Sequence, residues 1–253
     1  MTDRQAGDFA EIRSVGRALD LLEIMQHAAP AGIRVCDAAA HLGVDPATAS
    51  RLLATLITRG YASRMPNRRY TLGARSLRLA SAWIDRLLQV AAAPMTRIAN
   101  SCGETVYLLQ LVGTEAVTLA RLAGTRRTMI DVEVGPSYPL WATAAGRALL
   151  GSLPRHQGPA LLPPEPFPAF TPRTKTTWAD VSAAIQDGRR GAIYAEEGEI
   201  DPFLSCCATP LPHSERDEKL ALAVSFESGR PENERRIIQQ ALRREWRQLA
   251  WQI

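Results

Sequence analysis

The sequence predicts an α+β protein in two parts, on three observations. Two short helix patterns flank a tight turn between Gly32 and Gly60. A hairpin rich in arginine follows, up to Gly73. Beyond Pro94 the pattern changes to apolar strands interleaved with helices. The expected division is a compact N-terminal domain over 1–74, a linking helix over 75–93, and a mixed strand-and-helix domain over 94–253.

The first residues, up to about Ala10, are polar. From Ser14 to Ala28 the residues Val15, Ala18, Leu19, Leu22 and Met25 recur at helical spacing, with Ser14 as the expected cap. A turn at Pro30-Ala31-Gly32 leads to a second helix over Val35–Leu42, where Ala38 and Ala39 let a neighbouring helix approach closely. Gly43 follows the last periodic residue, where a helix end favours a left-handed conformation. Asp45 can cap the next helix and Pro46 suits its first position, since the missing donor is unneeded there. That third helix runs to about Arg59, with Ala49, Leu52, Leu53, Leu56 and Ile57 on one face, and Gly60 ends it.

The other face of the third helix carries Ala47, Thr48, Ser50, Arg51 and Thr55. A merely solvated face would carry several Glu and Lys. Short hydroxyl side chains with one Arg suit a helix that enters the major groove, where Arg reaches guanine or phosphate. The hairpin behind it pairs a strand around Tyr61–Arg64 with one at Tyr70–Gly73. Its tip places Arg64, Asn67, Arg68 and Arg69 within reach of backbone phosphate or the minor groove. From Pro46 through Ile84 there is no Asp or Glu, whereas seven arginines lie in that span. An acid-free, Arg-rich surface fits a polyanion, so double-stranded DNA is the expected partner.

Arg75 to about Ala93 reads as one broadly apolar helix, ended by Pro94, that packs against a partner subunit as well as its own chain. A short helix over Met95–Cys102 follows, then a hairpin of Thr105–Val112 and Glu115–Leu122 around Gly113-Thr114. Met129–Val134 is a third expected strand, and Thr143 opens a helix to Leu149. Pro154 to Pro172 is a rigid, proline-dense loop without a regular element. Trp178–Arg190 is a helix ended by Gly191. Ala192–Glu196, Leu204–Leu211 and Lys219–Ser228 are strands. The final helix, Glu232–Ile253, turns Ile237, Ile238, Ala241, Leu242, Trp246 and Leu249 inward. Its arginines alternate with Glu232, Glu234 and Glu245, which favours helical ion pairs over a second nucleic-acid face.

The totals exclude several classes. The chain has 253 residues, 46% of them apolar, which is enough for a sizeable core, and a net charge of +4, so its basic character is local. No apolar run reaches the roughly 20 residues of a membrane helix, and the polar start is no secretory signal, so a cytoplasmic protein without a membrane partner is expected. The four cysteines show no metal spacing, and Cys206-Cys207 are adjacent, which disfavours a structural disulfide. A thiol enzyme at Cys206 or Cys207 would need a base, and none of the four histidines is so placed. No phosphate loop, nucleophile elbow or metal-ligand spacing is present, so no catalytic residue, metal or cofactor is assigned.

Taken together, the chain resembles the IclR family of bacterial transcriptional regulators over nearly its whole length. The carrying segments are Ile12–Leu19, the helix pair and hairpin ending in Tyr70-Thr71-Leu72-Gly73, and Gly135–Leu150 (GPSYPLWATAAGRALL). Arg190–Glu197, Cys206–Leu211 and Ala221–Ser225 complete them. Arg147 stands where this family usually has Lys. The resemblance implies a winged helix-turn-helix domain and a GAF-like effector domain, with an antiparallel sheet flanked by helices. It also implies a homodimer, often a dimer of dimers, and a small effector, often a carboxylate or an aromatic acid, that alters operator binding.

The resemblance further implies an effector pocket between the sheet and the segment that opens the helix after Thr143. The residues carried over are Met129, Leu140, Ala142, Thr143, Ala144, Ala145 and Gly146, with Glu196, Cys206, Ala223 and Ser225 on later strands. Free N–H groups at that helix start suit an anion. Ala223 replaces a family Ser, Glu197 competes with Glu196 for the acid position, and the loop before Cys206 is a residue longer than usual. With Tyr138, Trp141 and Phe226 nearby, the pocket would take an acid larger and more apolar than a two- or three-carbon one. A degenerate second domain without a ligand is the alternative.

Overall fold

The computed structural model describes residues 12–126, 135–212 and 218–250. The chain divides into two compact units between Asp85 and Arg86.

The first unit contains α1 (Arg13–His27), α2 (Val35–Leu42), α3 (Pro46–Thr58) and a hairpin of β1 (Ala62–Arg64) with β2 (Tyr70–Leu72). Gly43 ends α2 at φ +60°, and the Asp45 side chain accepts the Thr48 N–H to cap α3 above Pro46. Leu21, Met25, Ala38, Ala49 and Leu53 form its closed core. Ser14 does not cap α1: the helix starts one residue earlier, and Ile12 is the N-cap without a side-chain bond. Val15 and Leu19, expected to be inward, are 52% and 56% exposed. The buried stripe runs through Ala18, Leu21, Leu22 and Met25, and these two lie at its margin. Ile57 lies at the margin of α3 for the same reason and is exposed.

Pro94 does not end a helix. α4 runs unbroken from Ala74 to Cys102 with Pro94 inside it. A proline there removes one backbone hydrogen bond. The apolar stripe nonetheless continues across it through Leu87, Ala91, Met95 and Ile98, all buried, so packing outweighs that loss.

In the second unit β3 (Thr105–Val112), β4 (Glu115–Leu122), β5 (Ser137–Pro139), β6 (Tyr194–Glu197), β7 (Leu204–Pro210) and β8 (Leu220–Glu227) form one sheet. Its order is β5-β4-β3-β8-β7-β6, and every pairing is antiparallel. Strand alternation sends Tyr107, Leu109, Ala221 and Ala223 to one face, where they pack with α5 (Ala144–Gly151) and α6 (Trp178–Gly191). α7 (Glu232–Ala250) packs along β7, and its Glu245 carboxylate accepts the Arg97 Nε–H at 3.0 Å and an Nη2 N–H at 2.6 Å.

The expected strand over Met129–Val134 lies outside the described residues. The proline-dense loop from Pro154 to Pro172, expected to hold no regular element, contains a 3-10 turn over Gly158–Leu161. α6 ends on Ala192 at φ +55°, not on Gly191. Ile237 on α7 is exposed, while Ile238, Ala241 and Leu242 are buried.

Candidate functional site

Two surfaces concentrate functional chemistry. On α3 the first turn is a relay of hydrogen bonds. The Thr48 hydroxyl donates to Asp45 Oδ2 at 2.6 Å and accepts from Arg51 Nη2 at 3.2 Å. These bonds, the Thr48 hydroxyl bond above all, hold the Asp45 carboxyl below its ordinary value. Ala47, Ser50, Arg51 and Thr55 are exposed, and the Thr55 hydroxyl bonds back to the Arg51 carbonyl. In the hairpin tip, Asn67 Oδ1 accepts the Arg69 N–H, and Arg68 turns the chain at φ +61°. Arg64 and Arg68 are exposed. Arg69, grouped with them in the sequence, is engaged elsewhere: its Nη1 donates to the Gly32 carbonyl at 2.7 Å. It stitches the hairpin to the turn before α2.

The second surface is a cavity of about 60 Å³ between the sheet and the start of α5. Thr143 caps α5: its hydroxyl accepts the Gly146 N–H and donates to the Pro139 carbonyl. Ala144 and Ala145, whose first-turn N–H groups have no intrahelical acceptor, line the cavity. Gly146 is obligatory for packing, since a Cβ there would lie 2.5 Å from the Leu140 backbone.

Of the residues carried over from the family, Thr143, Ala144, Ala145, Glu196, Cys206, Ala223 and Ser225 line this cavity. Leu140, Ala142 and Gly146 are buried beneath it and support the helix without lining it. Met129 lies outside the described residues. Tyr107, Leu109, Ile200 and Leu204 complete the wall and were not foreseen. Tyr107 and Leu109 carry the period-2 signal that could have placed them on the inner face. Of the aromatics expected nearby, Tyr138 lines the cavity. Trp141 instead packs on Phe167 and Phe170, and Phe226 faces a different cavity, behind the edge strand β6.

The choice between Glu196 and Glu197 follows from strand alternation. Glu196 points inward with Tyr194 and is 6% exposed, whereas Glu197 points out and pairs with Arg235 at 3.0 Å. Burial pushes the Glu196 carboxyl up to about 7. One of its oxygens accepts the Glu199 N–H at 2.9 Å.

Beside it sits a charge cluster that sequence reading did not find. Arg147 is fully buried and grips Glu199 with both Nη groups, one of them at 2.8 Å. Its Nε donates to the Trp141 carbonyl, and Nη1 also reaches the Ala195 carbonyl. Lys175 Nζ adds a bond to Glu199 at 2.6 Å. Burial opposes ionisation of Glu199, yet Arg147 first and then Lys175 outweigh it and hold the carboxyl below its usual range. The signal was present in two departures from the family pattern: Arg in place of Lys at 147, and the lengthened loop that carries Glu199.

Burial raises the thiol of Cys206 well above its ordinary value and pushes that of Cys207 up to about 12. Both shifts disfavour the thiolate at neutral pH. Among the described residues no group of His, Cys, Asp or Glu could hold a metal ion, and no helix is long and apolar enough to cross a membrane.

A helix-turn-helix with a basic hairpin, followed by a sheet domain with a cavity beside α5, defines a regulator that binds DNA. Residues 14–66 match the IclR helix-turn-helix domain and residues 84–253 match the bacterial transcriptional regulator IclR C-terminal family. The chain belongs to the IclR family of DNA-binding transcriptional regulators. It is 27% identical over 238 residues to the HTH-type transcriptional regulator XynR of Escherichia coli, covering 91% of this chain and 94% of that protein. It is 30% identical over 195 residues to the HTH-type transcriptional regulator Rv1719 of Mycobacterium tuberculosis, covering 75% and 73%. The IclR transcriptional regulator from Alicyclobacillus acidocaldarius shares the fold at 22% identity and a TM-score of 0.84, over 96% of this chain and 99% of that one. An IclR homologue from Microbacterium hydrocarbonoxydans, in complex with 4-hydroxybenzoate, shares it at 22% identity and a TM-score of 0.75, over 94% and 99%.

Proposed function

We propose that this regulator works in the cytoplasm as a homodimer or a dimer of dimers, and that a small organic acid bound in the cavity changes its hold on operator DNA. The carrying observation is the cavity itself, where the open first turn of α5 faces Glu196, Cys206 and Ser225 across an otherwise apolar wall. The N–H groups of Ala144 and Ala145 suit a carboxylate. Tyr107, Leu109, Tyr138, Ile200 and Leu204 give an apolar wall that suits a ring or a branched chain, and the cavity of about 60 Å³ widens to admit one. The aromatic acid held by the Microbacterium homologue is of this class. On the DNA side, α3 enters the major groove with Arg51 as the base-reading side chain. Ala47, Thr48, Ser50 and Thr55 permit close approach, and Arg64, Asn67 and Arg68 meet the backbone. Domain 1–74 would carry this role, 75–93 the link and 94–253 the effector role.

The mechanism is a population shift: effector favours one arrangement of the dimer, and that arrangement holds the operator with different affinity. The test measures fluorescence anisotropy of DNA from upstream of the protein's own gene, with and without a panel of aliphatic and aromatic acids. The reading predicts that one chemical class changes operator affinity at least several-fold. Operator binding that no acid alters would contradict the effector half of the reading and leave the DNA half standing.

A further inference from the structure

We infer that Glu196 faces the cavity as a neutral carboxylic acid that donates a hydrogen bond to the ligand, and that a carboxylate ligand therefore enters together with a proton. This inference rests on the cavity being the effector site. It adds a specificity rule: the ligand must present an oxygen acceptor at Glu196, as well as an anion at α5.

The argument is one of charge placement. Two cations lie close to Glu196, and Glu199 occupies both. Arg147 spends its guanidinium on Glu199 and on the backbone carbonyls of Trp141 and Ala195. Lys175 places its ammonium on the same Glu199 carboxylate. A third cation, Arg235 of α7, is paired with the outward Glu197. Arg173, on the loop with Lys175, borders the cavity behind β6 and is exposed to solvent.

What remains around Glu196 is neutral or negative. The Glu199 carboxylate lies in the following loop; its backbone N–H and the Cys206 thiol are neutral donors to Glu196, and burial outweighs both. From β7 come the thiols of Cys206 and Cys207, both un-ionised. From β3, β5 and β8 come Tyr107, Tyr138 and Ser225, and the Ser225 hydroxyl donates to Tyr107 at 3.3 Å.

A carboxylate buried against an apolar cavity, with its cations taken by a neighbour, keeps its proton near neutrality. The value of about 7 set by burial agrees with this placement. The α5 amides draw a carboxylate ligand into the same cavity. Two ionised carboxylates there would repel, whereas an acid and a carboxylate share a hydrogen bond. Above neutral pH the balance is Glu196 carboxylate, ligand carboxylate and one solvent proton going to the protonated pair; no bond to carbon changes.

The test has two arms. The first uses ligand-free full-length protein. The infrared band of a protonated carboxyl, assigned by its loss in Glu196→Gln, should be present at about pH 6 and gone by about pH 8.5. Its absence at pH 6 overturns the inference. The second is calorimetry with 4-hydroxybenzoate in buffers of different ionisation enthalpy. The wild type should take up about half a proton at about pH 7 and close to one at about pH 8.5, and its Kd should rise about fivefold from about pH 7 to pH 8 and more steeply above. Glu196→Gln, whose amide still donates, should bind with a flat pH profile. A flat profile in the wild type, or an unchanged slope in the variant, overturns the inference. A protonated band together with no binding of any acid at any pH overturns the cavity reading instead, and the inference falls with it.

Discussion

The guanidinium of Arg51 is held rather than free. Asp45 fixes the Thr48 hydroxyl proton, which leaves that oxygen a lone pair aimed at Arg51. Arg51→Ala should cost about 1–3 kcal/mol of operator affinity and relax discrimination at one base pair. Thr48→Val should keep most non-specific binding but lose part of that discrimination, and Thr48→Ser should restore it; competition between operators mutated at single positions reads both. The hairpin arginines separate in the same way. Arg68→Ala should lower the slope of log affinity against log salt by about one. Arg69→Ala should leave the slope nearly unchanged and cost about 1–3 kcal/mol of folding stability, because it removes a charged donor from the Gly32 carbonyl. Sequence could group these arginines by position only; which of them points back into the protein depends on a contact 37 residues away.

At the scale of elements, local rules were legible where local chemistry decides. The caps at Gly43, Asp45 and Thr143 and the β3–β4 hairpin stand as the residues indicate. The misreadings have tertiary causes. Pro94 punctuates a sequence, yet α4 passes through it because the apolar stripe resumes on the far side. Val15, Leu19 and Ile57 lie at stripe margins, where a spacing rule does not say how far the core extends. The cavity was half legible. Residues on α5, β7 and β8 lay in recognisable blocks, whereas Ile200 enters from a loop with no periodicity and Leu204 lies at the very start of β7. The Arg147–Glu199 pair joins α5 to that loop. Glu199→Leu should destabilise by about 3–5 kcal/mol, because it strands the Arg147 charge in the interior, whereas Arg147→Met should cost less, because Lys175 still pairs with Glu199. The double variant should recover much of that loss. Urea unfolding of all three reads the coupling.

For the whole molecule, stability should respond to pH through opposing carboxylates. Glu196 is raised in the folded state from 4.5 to about 7, so its contribution is complete below about pH 4.5 and is lost as pH rises through 7. The loss is on the order of 3 kcal/mol. Glu199 and Asp45 are lowered, so they stabilise above the unfolded value and lose that as acid protonates them. Stability should therefore peak between these limits, and Glu196→Gln should flatten the alkaline side only. Urea midpoints at about pH 5.5 and pH 8 in both proteins check this.

The account centres on a cavity that binds an organic acid, and thermal unfolding of the full chain against a panel of aliphatic and aromatic acids tests it most directly. At about 100 times its Kd a ligand adds about 2.7 kcal/mol, a shift of roughly 5–10 °C for a unit of this size. The account predicts such a shift for one class of acid in the wild type and its loss in Ala223→Phe, where a ring fills the cavity. No shift with any acid, or a shift that survives Ala223→Phe, would contradict it.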